Sequence, residues 1–150
     1  MLLPLALLSG GLAAGTMVMS ALAGAPLLLA LPVQTYVGVH KFFVARMDPF
    51  MPVTLLTALA CDVGLAFANP STASRVVAGV CALVYVCVVS VSVTKNVPIN
   101  RWIAGLDPQE IPDDWASIDP RHRWRNWNLV RTSLATLGLV GNVAMVAILL

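Results

Sequence analysis

Charge is scarce in this chain. Only 11% of its 150 residues are Asp, Glu, Lys or Arg, against about 25% in a soluble domain, and 59% are hydrophobic, with a mean hydropathy of +0.85. That deficit excludes a water-soluble globular domain and assigns the chain to a bilayer. Cysteine is scarce too: Cys61, Cys81 and Cys87 all fall in apolar runs without CxxC spacing. This excludes a disulfide framework and a zinc site and leaves soft apolar filler. The two histidines, His40 and His122, are few for copper or iron, and neither has a ligand partner at i, i+4. A metal centre would have to draw on His40, His122, Asp48 and Glu110. Nucleic acid is not an expected partner; membrane lipids and a hydrophobic small molecule are.

The apolar segments predict an all-α, membrane-embedded four-helix bundle, with spans at about residues 4–31, 49–68, 73–94 and 128–149 and polar loops at 32–48 and 95–127. Met1 to Leu31 carries no charge and is long enough to cross about 30 Å of hydrocarbon; lacking a basic n-region, it reads as a span rather than a removable signal. Its small residues, Gly10, Gly11, Ala14, Gly15, Ser20, Ala21, Gly24 and Ala25, allow close backbone approach, within the bundle or between copies in a homo-oligomer. Pro26 and Pro32 are expected to kink and end this helix.

From Gln34 to Met47, the helical spacing of Tyr36, His40, Phe43, Val44 and Met47 predicts a short interfacial helix. Asp48-Pro49 reads as the N-cap and first turn of the second span, and Asn69-Pro70-Ser71-Thr72 as a tight turn. The third helix should end before Pro98, and Asp119-Pro120 should cap the last one. Eight of the nine Lys/Arg residues fall in the loops after spans one and three or at their edges, and Arg75 alone lies opposite. This bias predicts a multi-pass cell-membrane protein with both loops cytoplasmic and both termini outside.

The passage from Lys95 to Thr132 concentrates the polar chemistry. It holds six of the nine basic residues, five of the seven acids and all four Trp. Within it Trp124, Asn128, Arg131 and Ala135 fall on one helical face at i, i+4, i+7 and i+11. A flat apolar surface, an amide and a fixed cation on one face suit a flat phenolic or enolate ligand. His40 is the residue that exchanges a proton near neutral pH. Asp48 either caps a helix or reaches the site, and Asn96 and Asn100 either satisfy a broken helix end or line the pocket. Asp62, deep in the second span, is costly unless neutral or paired, and by rise per residue Tyr85 and Ser20 reach a similar depth.

The run NVPINRWI, the PDDW segment, and RWRNWNLVRT, preceded by YVxVH and MDPFMP, resemble the anthrone oxygenase family of small membrane proteins over nearly the whole chain. The motif match covers Asn96, Pro98, Asn100, Trp124, Asn128, Arg131 and Thr132. The resemblance implies oxidation of an electron-rich, anthrone-like or phenolic aromatic of polyketide type by dioxygen, in secondary metabolism. Deprotonation turns such a substrate into a delocalised carbanion that reduces dioxygen directly, so no bound cofactor is expected and O2 is the co-substrate. In that scheme His40 takes the proton, Arg131 with Asn128 and Asn100 binds the oxyanion, and Trp124 with Tyr36 covers the rings. Asp48 and Asn96 complete the expected substrate site. The alternatives are a copper- or iron-dependent membrane oxygenase and a non-enzymatic metabolite carrier or assembly factor.

Overall fold

A computed structural model describes residues 1–149. Among the described residues the fold is built from five helices: α1 (Leu2–Ala30), α2 (Val33–Ala68), α3 (Thr72–Gly105), the single turn α4 (Trp115–Ile118) and α5 (Arg121–Leu149). No strand occurs among the described residues. The chain is an all-α bundle in which four helical segments, α1, α2, α3 and α4 with α5, are long and apolar enough to cross a membrane. Around the bundle, α1 packs on α2, α2 on α3, α3 on α5 and α5 on α1. Large apolar side chains such as Leu22, Phe67, Leu83 and Val140 face outward from all four, as a bilayer requires of its solvent-facing surface.

Small residues let the helices close around one large ring. A Cβ added to Gly10 of α1 would lie 2.5 Å from the Tyr85 hydroxyl, and one added to Gly138 of α5 would lie 2.9 Å from Tyr85 Cζ. Tyr85 of α3 thus fills the bundle centre with Ala13, Ala14, Met17, Ala58 and Ala135 around it. The small-residue face of α1 is in large part used within the chain, where Ala6, Gly10, Ala13, Ala14, Ala21, Gly24 and Ala25 are buried.

The short interfacial helix expected before Asp48 does not stand apart. α2 runs unbroken for 36 residues with Pro49 and Pro52 inside it, so Asp48 caps nothing. At 1.5 Å per residue it is about 54 Å long, so its first half, with His40, extends beyond a hydrocarbon core of about 30 Å. Prolines are tolerated in such a helix where side chains or a cavity take up the freed backbone groups. The carbonyls that Pro49 and Pro52 leave without an N–H, those of Ala45 and Asp48, belong to exposed residues, and much of the helix around them lines a cavity.

Pro26 and Pro98 also lie within continuing helices, for a shared local reason. In each case a π turn ends two residues before the proline: Ser20–Gly24 in α1 and Ser92–Asn96 in α3. Ala25 N–H donates to Ser20 O, and Val97 N–H to Ser92 O, five residues back. Widening the helix there accommodates a ring that lacks an N–H and would collide with the preceding turn. α3 therefore carries Asn100 on a helix that persists to Gly105.

Other boundaries follow the expected chemistry. Asn69 Oδ1 accepts from Ser71 N–H (3.1 Å), and Ser71 Oγ accepts from Ser74 N–H (3.4 Å), closing the turn and capping α3. Asp119 Oδ1 accepts from Arg121 N–H (3.0 Å) at the start of α5. The Arg121 side chain pairs with Asp119 and donates to Leu31 O (2.9 Å), tying α5 to the end of α1. The acidic connector is anchored by Trp115, which is buried, stacks on Trp102 and meets Tyr36 edge-on.

Candidate functional site

A cavity of about 1040 Å3 lies between α1, α2, α3 and α5, at the upper end of small-molecule sites, about 300–1,000 Å3. Most of its wall is apolar, from residues such as Met17, Leu28, Phe43, Met51, Leu55 and Val89. The charged and ionisable groups on it are few, His40 and Arg131 inside with Arg46, Asp48 and Arg101 exposed, and Asn100, Thr16, Ser20 and Ser92 add neutral polar groups.

His40 is 1% exposed and is fixed on three sides. Its ring stands edge-on to Tyr36 (centroids 5.4 Å) and to Trp124 (5.2 Å). Its Nε2 lies 3.1 Å from Asn100 Oδ1, which also accepts from Trp124 Nε1–H at 2.9 Å. An indole N–H only donates, so the amide must present its oxygen there, and that oxygen can engage His40 Nε2 only if Nε2 carries the proton. Nδ1 is then the unprotonated nitrogen. It is buried without a hydrogen-bond partner. Burial pulls the His40 pKa below 6.5, with the Asn100 bond opposing, so the ring is neutral at neutral pH and Nδ1 keeps its lone pair.

Arg131 is held as firmly. Its Nε and Nη2 both donate to Asn128 Oδ1 (3.0 and 2.9 Å), and Nη1 reaches Ser92 Oγ at 3.5 Å. Asn128 is fully buried and donates through Nδ2 to Ser20 Oγ (3.4 Å). Ser20 and Ser92 are the first residues of the two π turns. The widened turns thus support the guanidinium from α1 and α3, a placement typical of π bulges at functional sites. A guanidinium has five N–H donors; three are engaged here, and two remain for a ligand.

Of the sequence-predicted residues, the structure brings His40, Asp48, Asn100, Trp124 and Arg131 to one cavity. Three others stand behind it. Tyr36 packs against His40, Trp115 and Arg121 and does not line the cavity, so it supports the imidazole rather than covering a ligand. Asn128 orients Arg131 from outside the wall. Asn96 donates to Trp124 O at 3.2 Å and fixes the helix that carries Trp124. Thr132 Oγ1 bonds Asn128 O (2.6 Å) and Met17 O (3.3 Å), joining α5 to α1.

The alternative metal set is not assembled. His40 is buried while His122 and Glu110 are exposed, and no group of three or more His, Cys, Asp or Glu side chains comes together among the described residues. Ser20 and Ser92 escaped the sequence reading although a signal exists: each stands six residues before a proline, in SALAGAP and SVTKNVP. Ser20, expected from its depth to lie level with Asp62, belongs to this site. Asp62 instead accepts from Asn142 Nδ2 (3.2 Å) in a separate, fully buried polar pair.

A family model described as anthrone oxygenase matches residues 40–141, from His40 past Arg131. No curated protein and no solved structure matches the chain.

Proposed function

Since the chain belongs to the anthrone oxygenase family, matched over residues 40–141, we propose that it oxidises an electron-rich aromatic of the anthrone or phenol class with dioxygen. The observation that carries this reading is that His40, whose buried Nδ1 has no hydrogen-bond partner, lines an apolar cavity together with Arg131. Such a cavity strengthens electrostatic interactions and favours charge that forms between fixed partners.

For an anthrone, His40 Nδ1 removes one proton from the ring methylene. The negative charge that develops on the conjugated oxygen is received by the free N–H donors of Arg131, and Trp124 covers the ring face. The resulting carbanion passes one electron to dioxygen, and recombination forms a carbon–oxygen bond at the former methylene. Loss of water from that hydroperoxide, with the second ring hydrogen, leaves the quinone. One anthrone and one O2 give one quinone and one water. The carbanion supplies the electrons, so this scheme calls on no bound redox group and uses O2 as co-substrate.

The cavity end of the bundle also carries eight of the nine Lys/Arg residues, and by the positive-inside rule we assign that end to the cytoplasm. Turnover by the parent and by His40→Ala and Arg131→Ala tests the chemistry. Both variants should lose most oxygen-dependent product while still inserting into membranes. Wild-type turnover in both would refute the scheme, and tight binding of unchanged ligand without oxygen uptake would make the protein a carrier.

A further inference from the structure

The cavity takes α2 only as far as Leu56. Past it, the same helix buries a carboxyl that has no part in the chemistry at His40. Asp62 is 0% exposed, as are Asn142 of α5 and Tyr85 of α3. Since α2 and α5 are not neighbours around the bundle, the bond from Asn142 Nδ2 to Asp62 Oδ2 (3.2 Å) crosses its centre.

That bond leaves both partners half-satisfied. Asp62 Oδ1 and Asn142 Oδ1 are buried without a hydrogen-bond partner, and the Tyr85 hydroxyl is unpartnered too, so it reaches neither oxygen. With the acid ionised, both oxygens are acceptors and neither can serve the other. No cation offsets the charge. α1 has no ionisable side chain and α5 none past Arg131. The groups that face Asp62 are Cys61 on its own helix and Cys81 and Tyr85 on α3, none of them basic. Met1 is exposed, and so is Arg75, which donates to Ala66 O (3.1 Å). A lone carboxylate in mid-span with one hydrogen bond is costly. The packing around it is also tight: a Cβ on Gly138 would lie 2.9 Å from Tyr85 Cζ, and one on Gly141 would strike Cys81 Sγ. A proton needs no further room.

We propose that Asp62 is a proton-binding site: a proton on Oδ1 is the donor that Asn142 Oδ1 lacks, so that acid and amide join through two hydrogen bonds and latch α2 to α5 across the bundle. Reversing the amide does not remove the need, because Asn142 Oδ1 would then meet Asp62 Oδ2, and two facing acceptors again require a proton. The latch is shut while the proton is bound and loosens when it leaves. It stands apart from His40 and Arg131 and does not depend on the reaction there.

Infrared spectra and unfolding curves of the purified full-length protein in detergent, parent against Asp62→Asn, test this. At neutral pH the parent should show the carbonyl band of a protonated carboxyl, shifted in D2O and missing from Asp62→Asn. Asparagine offers the donor and the acceptor of the protonated acid, so this variant should melt close to the parent at neutral pH. The proton is held in the folded chain and released on unfolding, so the latch stabilises most in acid and less as pH rises. Through neutrality the parent's unfolding constant should therefore rise about tenfold more per pH unit than that of Asp62→Asn. Asn142→Leu, which removes both partners of the acid, should move the band to higher frequency; where it folds poorly, Asn142→Ala makes the same comparison. No carboxyl band lost in Asp62→Asn, equal pH slopes for the two proteins, a band indifferent to Asn142, or an Asp62→Asn that melts well below the parent at neutral pH would overturn the proposal.

Discussion

Replacing Asn100 by Asp changes charge while preserving shape. The carboxylate oxygen would take the place of the amide oxygen that lies 2.9 Å from Trp124 Nε1 and 3.1 Å from His40 Nε2. Both donors keep an acceptor, so the bundle should fold. An opposite charge at this range stabilises an imidazolium by about 1.4–4 kcal/mol, a ten- to thousandfold change in the proton concentration at half-protonation. In the parent, burial pulls the His40 pKa below 6.5, so kcat/KM should fall with acid only below that pH. In Asn100→Asp the acid limb should move to higher pH by that factor, with activity at neutral pH reduced and recovered in alkali. The assay is oxygen uptake against pH for the two proteins. An acid limb that stays in place, with both proteins folded, would refute His40 as the base. Linkage adds a sign: because the folded-state pKa lies below the unfolded value, His40 contributes stability that is complete above pH 6.5 and is lost as pH falls below it.

Other substitutions separate positioning, packing and charge. Arg131→Gln should lower kcat by about 10²–10³ with a smaller effect on KM, and Arg131→Lys should recover little, since a lysine cannot place two donors on Asn128 Oδ1 as Nε and Nη2 do; steady-state kinetics in detergent checks both. Asp62→Asn, which keeps a polar partner beside Asn142 Nδ2, should melt close to the parent. Asp62→Leu strands that buried amide and should cost about 1–3 kcal/mol in a denaturation curve. Gly10→Ala, where the new Cβ meets the Tyr85 hydroxyl at 2.5 Å, should be destabilised by about 1–3 kcal/mol.

Local properties of the chain were readable without coordinates. Hydropathy pointed to four helices long and apolar enough to cross a membrane, and the helical period put Trp124, Asn128, Arg131 and Ala135 on one face, where Trp124, Asn128 and Ala135 are buried. What escaped depends on partners far apart in the chain. Asn100 is the hub of the site because it meets His40 across 60 residues and Trp124 across 24, and nothing in NVPINRWI announces those partners. Asn128 looked like a ligand contact and proved to be the support of Arg131 because Ser20 stands 108 residues away on α1. The sequence alone makes Pro26 a kink, Pro49 a helix start and Pro98 a helix end, since proline removes a donor wherever it sits. π turns take up the change at Pro26 and Pro98, the carbonyls freed by Pro49 and Pro52 belong to exposed residues, and the helices continue.

Stoichiometric oxygen uptake by the purified protein, supplied with an anthrone and followed together with quinone formation, addresses the central claim directly. A neutral His40 and a fixed Arg131 around one cavity predict one O2 consumed for each quinone formed, with rates well above the spontaneous reaction and abolished in His40→Ala. No uptake above the spontaneous rate with any anthrone or phenol offered would contradict the claim.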